Sequence, residues 1–384
     1  MKKRMATILG VVVVSGMLTG CTGTPVVYNN CDCNCSSNTT GNNAAAEIVT
    51  ESTAATEAVS ESSAAAEAVT ETEAAEVSDE AVKTGLSVSV SLADSTSVDA
   101  ENEGAAKYDI TMVAVSVDDS GVIDSCIIDS VPATISFDGN GTITSDLSAE
   151  ILTKNELGED YGMKLYGGAA YEWNEQAAAL AEYAEGKTVD ELKNGAIDET
   201  GKAKDADLAS TATIYLGGYV AAIEDAVNNA QHLGAKKGDE LRLASISSVD
   251  GSTSVEADAE GLAQLDTDFT VLTMNDDVIT SCYIDSVQAK VNFDATGTIT
   301  SDLSAQVLTK NQLGEDYGMK MYAGSAYEWN EQAAAFAEYV TGKTIDEVAG
   351  IAVDEKTALT DADIASTVTI AVGGFQAVID KAAR

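Results

Sequence analysis

The segment Lys154-Asn155-Glu156-Leu157-Gly158-Glu159-Asp160-Tyr161-Gly162-Met163-Lys164 returns as Lys310-Asn311-Gln312-Leu313-Gly314-Glu315-Asp316-Tyr317-Gly318-Met319-Lys320. The likeness runs outward without a gap: residues 142–180 align with 298–336 at an offset of 156, and 32 of 39 positions are identical. The same offset carries Cys126 onto Cys282, Trp173 onto Trp329 and Thr213 onto Thr369. A period this long lies far above that of solenoid repeats, so the chain contains one domain twice. Each copy is long enough to bury a core of its own. A short polar, Gly-containing link at 233–240 separates them, which places the domains at 86–235 and 236–384.

Within a copy, strands come first and helices after. Residues 109–117 alternate and are β-branched, and 122–130 follow the turn Asp118-Asp119-Ser120-Gly121, which reads as a hairpin. Residues 134–137 and 142–144 flank Asp138-Gly139-Asn140-Gly141, a second turn of hairpin type. That loop starts like a calcium site, but Ile143 and Ala149 stand where the sixth and twelfth positions need Gly and Glu, so the calcium reading fails. Trp173, Ala177 and Leu180 share one face of a helix over 171–183. Residues 189–192 read as a short turn, 212–216 as a last strand or extended approach, and 219–227 as a closing helix. The fold class is α+β: two tandem duplicated domains, each an antiparallel sheet with packed helices, after a disordered N-terminal tether.

The first residues, Met1-Lys2-Lys3-Arg4, lead into an apolar run and then Leu18-Thr19-Gly20-Cys21. A basic start, a short apolar stretch and small residues before a cut describe a secretory signal peptide over 1–20. Leu18 to Cys21 resembles the lipobox of bacterial lipoproteins. That resemblance implies acylation of Cys21 as the mature N-terminus, and so a lipid anchor in the cell membrane with the body on its extracellular face. Residues 21–85 then form the lipidated acidic tether. Its Ala, Glu, Ser and Thr content carries too little apolar bulk to offset chain entropy. Cys31, Cys33 and Cys35 lack a second ligand cluster at structural-zinc spacing and stay unexplained.

Charge excludes a large class of functions. Asp and Glu number 63 against 21 Lys and Arg, a formal charge of −42. Such a surface repels phosphate backbones, so nucleic acid is not a partner. His232 is the only histidine, which rules out repeated His catalysis or a multi-His metal centre.

Near the end of each copy lie Asp207-Leu208-Ala209-Ser210-Thr211-Ala212-Thr213 and Asp363-Ile364-Ala365-Ser366-Thr367-Val368-Thr369. Each precedes an apolar stretch, a Gly-Gly pair and a helix. This resembles the flavinylation motif of FMN-binding domains, where an Asp leads, Ser/Thr-Gly-Ala-Ser/Thr follows, and the final hydroxyl esterifies FMN phosphate. The likeness covers roughly 120–227 and 276–379 and is nearest to tandem flavin lipoproteins of Gram-positive extracellular electron transfer, the pheromone-encoding lipoprotein family. Thr211 and Thr367 replace the motif Gly, and Val368 its Ala.

The resemblance implies covalent FMN as a phosphoester on Thr213 and Thr369, two per chain, added by a flavin transferase that reads Asp207 and Asp363. Ser210 and Ser366 belong to the same motif. It further implies electrons taken from a membrane quinol or NADH dehydrogenase system and passed to extracellular acceptors such as ferric iron. Such a protein is a redox carrier rather than a substrate-specific enzyme. Lys154 and Lys310 are candidate cations for phosphate or reduced flavin, and Tyr161 and Tyr317 candidate stacking rings. Asp207 and Asp363 are alternatively turn caps, and Cys126 and Cys282 small buried hydrophobes. A surface structural or ligand-binding lipoprotein that has lost its flavin is the rival reading.

Overall fold

The structure, a computed structural model, describes residues 80–384. The leader, Cys21, Cys31, Cys33, Cys35 and the tether as far as residue 79 lie outside the described residues. The first repeat begins with strands β1 (Lys83–Ser91), β2 (Gly104–Val117) and β3 (Ile123–Phe137). It continues with helices α1 (Lys154–Leu157), α2 (Met163–Gly167), α3 (Trp173–Ala184), α4 (Val189–Ala196), α5 (Ala206–Thr211) and α6 (Gly217–Asn228). The second repeat follows the same order: β4 (Glu240–Ser248), β5 (Gly261–Asn275), β6 (Val278–Phe293), then α7 (Lys310–Leu313), α8 (Met319–Ala323), α9 (Trp329–Val340), α10 (Ile345–Ala349), α11 (Ala362–Ala365) and α12 (Gly373–Ala382). Each sheet is an antiparallel meander, β1-β2-β3 and β4-β5-β6. The fold is α+β with two tandem units.

The hairpin read from the sequence forms β2 and β3, with Asp118 Oδ1 accepting the N–H groups of Ser120 and Val122 across the turn. The turn at 138–141 also forms, but only one bridge, Phe137 to Ile143, follows it rather than a strand. No strand forms over 212–216, and α4 runs a full turn beyond the short turn expected there. β1 starts at Lys83, within the last residues expected as tether. The link between repeats is stitched back to it: Val82 N–H donates to the Ala235 carbonyl at 3.0 Å, and Lys237 N–H to that of Glu80 at 2.8 Å.

Strand period explains the layering. Side chains alternate faces, so the nearly unbroken apolar run of β2 must be covered on both sides. Tyr108, Ile110, Met112 and Ala114 point one way, into a core shared with Leu265, Phe269 and Val271 of β5. Val113 and Val115 point the other way, onto Trp173, Leu180, Val220 and Ile223 of the helices. The second repeat buries Leu272 and Met274 against its own helices in the same manner. Four layers result: helices, sheet, sheet, helices. The two inner faces are each other's cover.

Across that interface Phe137, the last residue of β3, stacks on Phe293, the last of β6, ring centroids 4.0 Å apart and planes 4° from parallel. Gly104 stands opposite Phe137 and Gly261 opposite Phe293 in the strand registers. A Cβ on Gly104 would come within 2.2 Å of the Phe137 ring, so glycine is what lets the ring lie flat. The loops around the sheets are exchanged reciprocally. Val255 N–H donates to Gly141 O at 2.8 Å, and Val98 N–H to Gly297 O at 2.9 Å. Tyr108 Oη adds a bond to the Ala263 carbonyl at 2.8 Å.

Candidate functional site

Helix α5 is started by Asp205, whose Oδ1 accepts the N–H groups of Asp207 and Leu208, both at 3.0 Å. Asp361 accepts the Asp363 N–H at 3.1 Å in the second repeat. Capping thus falls to Asp205 and Asp361, two residues earlier than Asp207 and Asp363, which lie exposed in the first turn. Ser210 Oγ donates to the Asp207 carbonyl at 2.7 Å, and Ser366 is exposed. Thr211 is the last residue of α5, and neither it nor Thr367 has a positive φ. The position that is Gly in the motif therefore has a backbone open to any residue.

Beyond α5 the chain runs extended into Thr213, which is exposed, as is Thr369. A residue absent from the motif fixes each threonine. Gln176 Oε1 accepts the Thr213 N–H at 2.7 Å, the Thr213 hydroxyl at 3.1 Å and the Ile214 N–H at 3.1 Å. Its Nε2 donates to the Tyr171 carbonyl at 3.0 Å, so the amide cannot turn over without losing partners on both sides. Gln332 repeats the set on Thr369 and Ile370 at 2.8, 3.0 and 3.2 Å. Both glutamines are fully buried. Each hydroxyl donates to a buried amide oxygen, which fixes the orientation of Oγ1 on an exposed residue. The arrangement presents an oriented oxygen nucleophile on a rigid support.

Ile214 and Tyr215, directly after Thr213, line a cleft of about 490 Å³ together with Thr111, Lys154, Tyr161, Trp173 and Tyr219. That volume falls within the ~300–1,000 Å³ of small-molecule sites. Lys154 is only 5% exposed; its Nζ lies 5.3 Å from the Tyr161 ring centroid and 5.2 Å from that of Trp173. Asp109 Oδ1 sits 3.2 Å away. Burial opposes the ammonium charge, but Asp109, Tyr161 and Tyr219 outweigh it and hold Lys154 above the usual lysine range. The lysine is placed by its helix end. Thr153 and Glu156 close a capping box, and Asp129 on β3 accepts the Asn155 N–H at 3.0 Å. Burial raises the Asp129 carboxyl to about 6, and that of Asp285 likewise to about 6.

In the second repeat Lys310 Nζ lies 5.4 Å from the Tyr317 ring and 4.8 Å from that of Trp329. Here burial dominates and Lys310 falls below the usual lysine range.

Of the residues expected from sequence, Lys154 and Tyr161 line the cleft and Thr213 directly precedes its lining residue Ile214, while Thr369, Lys310 and Tyr317 stand at the equivalent positions of the second repeat. Asp207 and Ser210 stand in α5 and Asp363 in α11, with Ser366 as the C-cap of α11, and all four are exposed. Cys126 and Cys282 are buried thiols away from the cleft, both pushed up by burial. Cys21 lies outside the described residues, among which no helix is long and apolar enough to cross a membrane. Comparison with family models, curated proteins and solved structures finds no match to this chain.

Proposed function

We propose that the chain is a membrane-anchored extracellular flavoprotein, lipidated at Cys21, that carries FMN as a phosphoester on Thr213 and Thr369. One observation carries this reading. Both threonines are exposed, each is oriented by a fully buried glutamine, and the residues directly after the first, Ile214 and Tyr215, line a cleft with aromatic rings and a buried cation. The residues present fit the group: rings of Tyr161, Trp173 and Tyr219 suit a flat heterocycle, and Lys154 suits a negative charge.

Bound FMN supplies electron transfer, singly or in pairs. The chain's own residues do the holding. Gln176 and Gln332 orient the hydroxyls, Lys154 and Lys310 sit beside the rings, and the exposed helix from Asp207 or Asp363 offers a flavin transferase a surface to read. Covalent attachment keeps a cofactor that would otherwise be lost by dilution outside the cell. In this role the protein takes electrons from a membrane quinol or NADH dehydrogenase system and delivers them to extracellular acceptors such as ferric iron.

Intact mass after co-expression with a flavin transferase tests the reading. Two FMN adducts are expected, each lost singly in Thr213→Ala and Thr369→Ala. An unmodified, colourless product overturns it. A second reading, a surface structural or ligand-binding lipoprotein without flavin, is favoured by Thr211 and Thr367 in place of the motif Gly.

A further inference from the structure

The two repeats differ where they matter most. Across β1 and β2, Ser89 stands opposite Thr111, and both line the first cleft. The matching pair across β4 and β5 is Ile246 opposite Asp268. The equivalence follows from the registers, since Val115 pairs with Cys126 and Leu272 with Cys282, and Thr111 and Asp268 each lie four residues before. A threonine on the cleft floor has become an aspartate.

That aspartate fills space left open in the first repeat. A Cβ added to Gly218, at the start of α6, would meet nothing within 4 Å. A Cβ added to the matching Gly374 of α12 would lie 2.5 Å from Asp268 Oδ2. The second repeat therefore sets its own carboxylate against the first turn of α12, where helix N–H groups favour negative charge. Among carboxylates acting on the half-buried Lys310, Asp268 comes first. Burial in turn raises the Asp268 carboxyl, with Ser286 and Lys310 opposing. In the first repeat the same corner is bounded by neutral Thr111, and buried Lys154, paired with Asp109 at 3.2 Å as Asp266 acts on Lys310, faces an open hollow without a counterpart of Asp268.

We propose that the two sites are unequal: the Lys154 cleft of the first repeat accepts an aromatic anion, and Asp268 makes the second repeat the weaker site by adding a carboxylate that the first repeat lacks. Thr111 and Asp268 are then the residues that set anion preference. The inference rests on the reading above only in taking FMN as the anion. It adds an order of loading, Thr213 before Thr369.

The test uses the full, unmodified chain with free FMN and with riboflavin, which lacks the phosphate, both followed by flavin fluorescence. FMN should bind at one tight site per chain, at least tenfold tighter than riboflavin. Thr111→Asp should weaken FMN at least tenfold and riboflavin less than threefold. Thr111→Asn, of equal size without the charge, should keep FMN within threefold, with circular dichroism checking the fold of each variant. Asp268→Thr should strengthen the second site. Two equal FMN sites, a Thr111→Asp affinity within twofold of the parent, equal losses for FMN and riboflavin, or an unchanged second site in Asp268→Thr would each overturn the proposal. Adducts are counted separately by peptide mass during transferase treatment. Absent adducts with intact FMN selectivity sink the flavoprotein reading and leave the unequal sites standing. Adducts appearing on both threonines at one rate sink the order of loading and leave the flavoprotein reading.

Discussion

The side-chain oxygen of Gln176 holds the Thr213 hydroxyl at 3.1 Å while accepting two further N–H groups from the same short stretch, and Gln332 does the same for Thr369. The threonine that carries the proposed chemistry is thus positioned by a residue 37 places earlier in the chain.

Replacing that glutamine separates positioning from attachment. Gln176→Leu leaves two buried or half-buried N–H groups without an acceptor, a loss of about 1–3 kcal/mol. We expect a lower midpoint in denaturant and a loss of the Thr213 adduct, with Thr369 still modified. Peptide mass and equilibrium unfolding on the same samples check both. Equal modification at the two threonines would show that orientation by Gln176 is dispensable.

Asp205 and Asp207 are two residues apart and do different things. Asp205→Ala removes the cap of α5 and should cost about 1 kcal/mol. Asp207→Ala touches no cap and should leave stability within about 0.5 kcal/mol, the range for an exposed surface change. If a transferase reads Asp207, that variant alone combines a normal melting curve with poor flavinylation. Melting curves and adduct mass decide between the two roles.

The stack of Phe137 on Phe293 gives a test of the shared core. Phe137→Ala should cost about 3–5 kcal/mol, because the cavity it leaves is walled by both sheets. A double-mutant cycle with Phe293→Ala should return a coupling of about 0.5–1.5 kcal/mol. Gly104→Ala should also destabilise by forcing its methyl into the Phe137 ring. Denaturant unfolding should show one transition in each case. Two separated transitions would mean that the repeats melt independently.

Asp129 and Asp285 predict a pH dependence. Each has a folded pKa near 6, above the ~3.9 of an unfolded aspartate. The folded state therefore binds more protons than the unfolded one between about pH 4 and 6, and stability falls as pH rises through that window. Above about pH 6 the loss is complete, on the order of 2–3 kcal/mol per site. Asp129→Asn and Asp285→Asn, which keep an acceptor oxygen, should flatten the slope. Unfolding free energies at pH 4.5 and 7.5 measure it, and an unaltered slope in the double variant would reject the assignment.

Much of the fold was open to reading from residues alone. The alternation in β2 and β3 and the apolar stripe of α3 are strong periodic signals. β1 is masked in the sequence although Leu86-Ser87-Val88-Ser89-Val90-Ser91 alternates cleanly, because its serines continue the composition of the tether. Apolar residues on both faces of β2 announce a second cover, but nothing in the sequence says that the cover is the other repeat. Helices of four to six residues, such as α1 and α5, are set by caps rather than by period, and so gave little signal.

The site was legible in part. Lys154 and Tyr161, both candidates on sequence, line one cleft, and Thr213 directly precedes its lining residue Ile214. Gln176 lies outside the motif, though a glutamine between Trp173 and Ala177 on a buried stripe is an anomaly that asks for a partner. The exchange of Thr111 for Asp268 was hidden by spacing. The β5–β6 turn is one residue shorter than the β2–β3 turn, so positions before it match at an offset of 157 while those after match at 156.

Because the inner sheets cover one another, each half hides an apolar face only with the help of the other. Cut at the link, either piece would bare a greasy slab of strand with a phenylalanine at its end. It would then have to recruit a second molecule to hide that slab. The tandem chain instead carries its own dimer partner, always present at unit stoichiometry, while the two outward faces stay free to diverge.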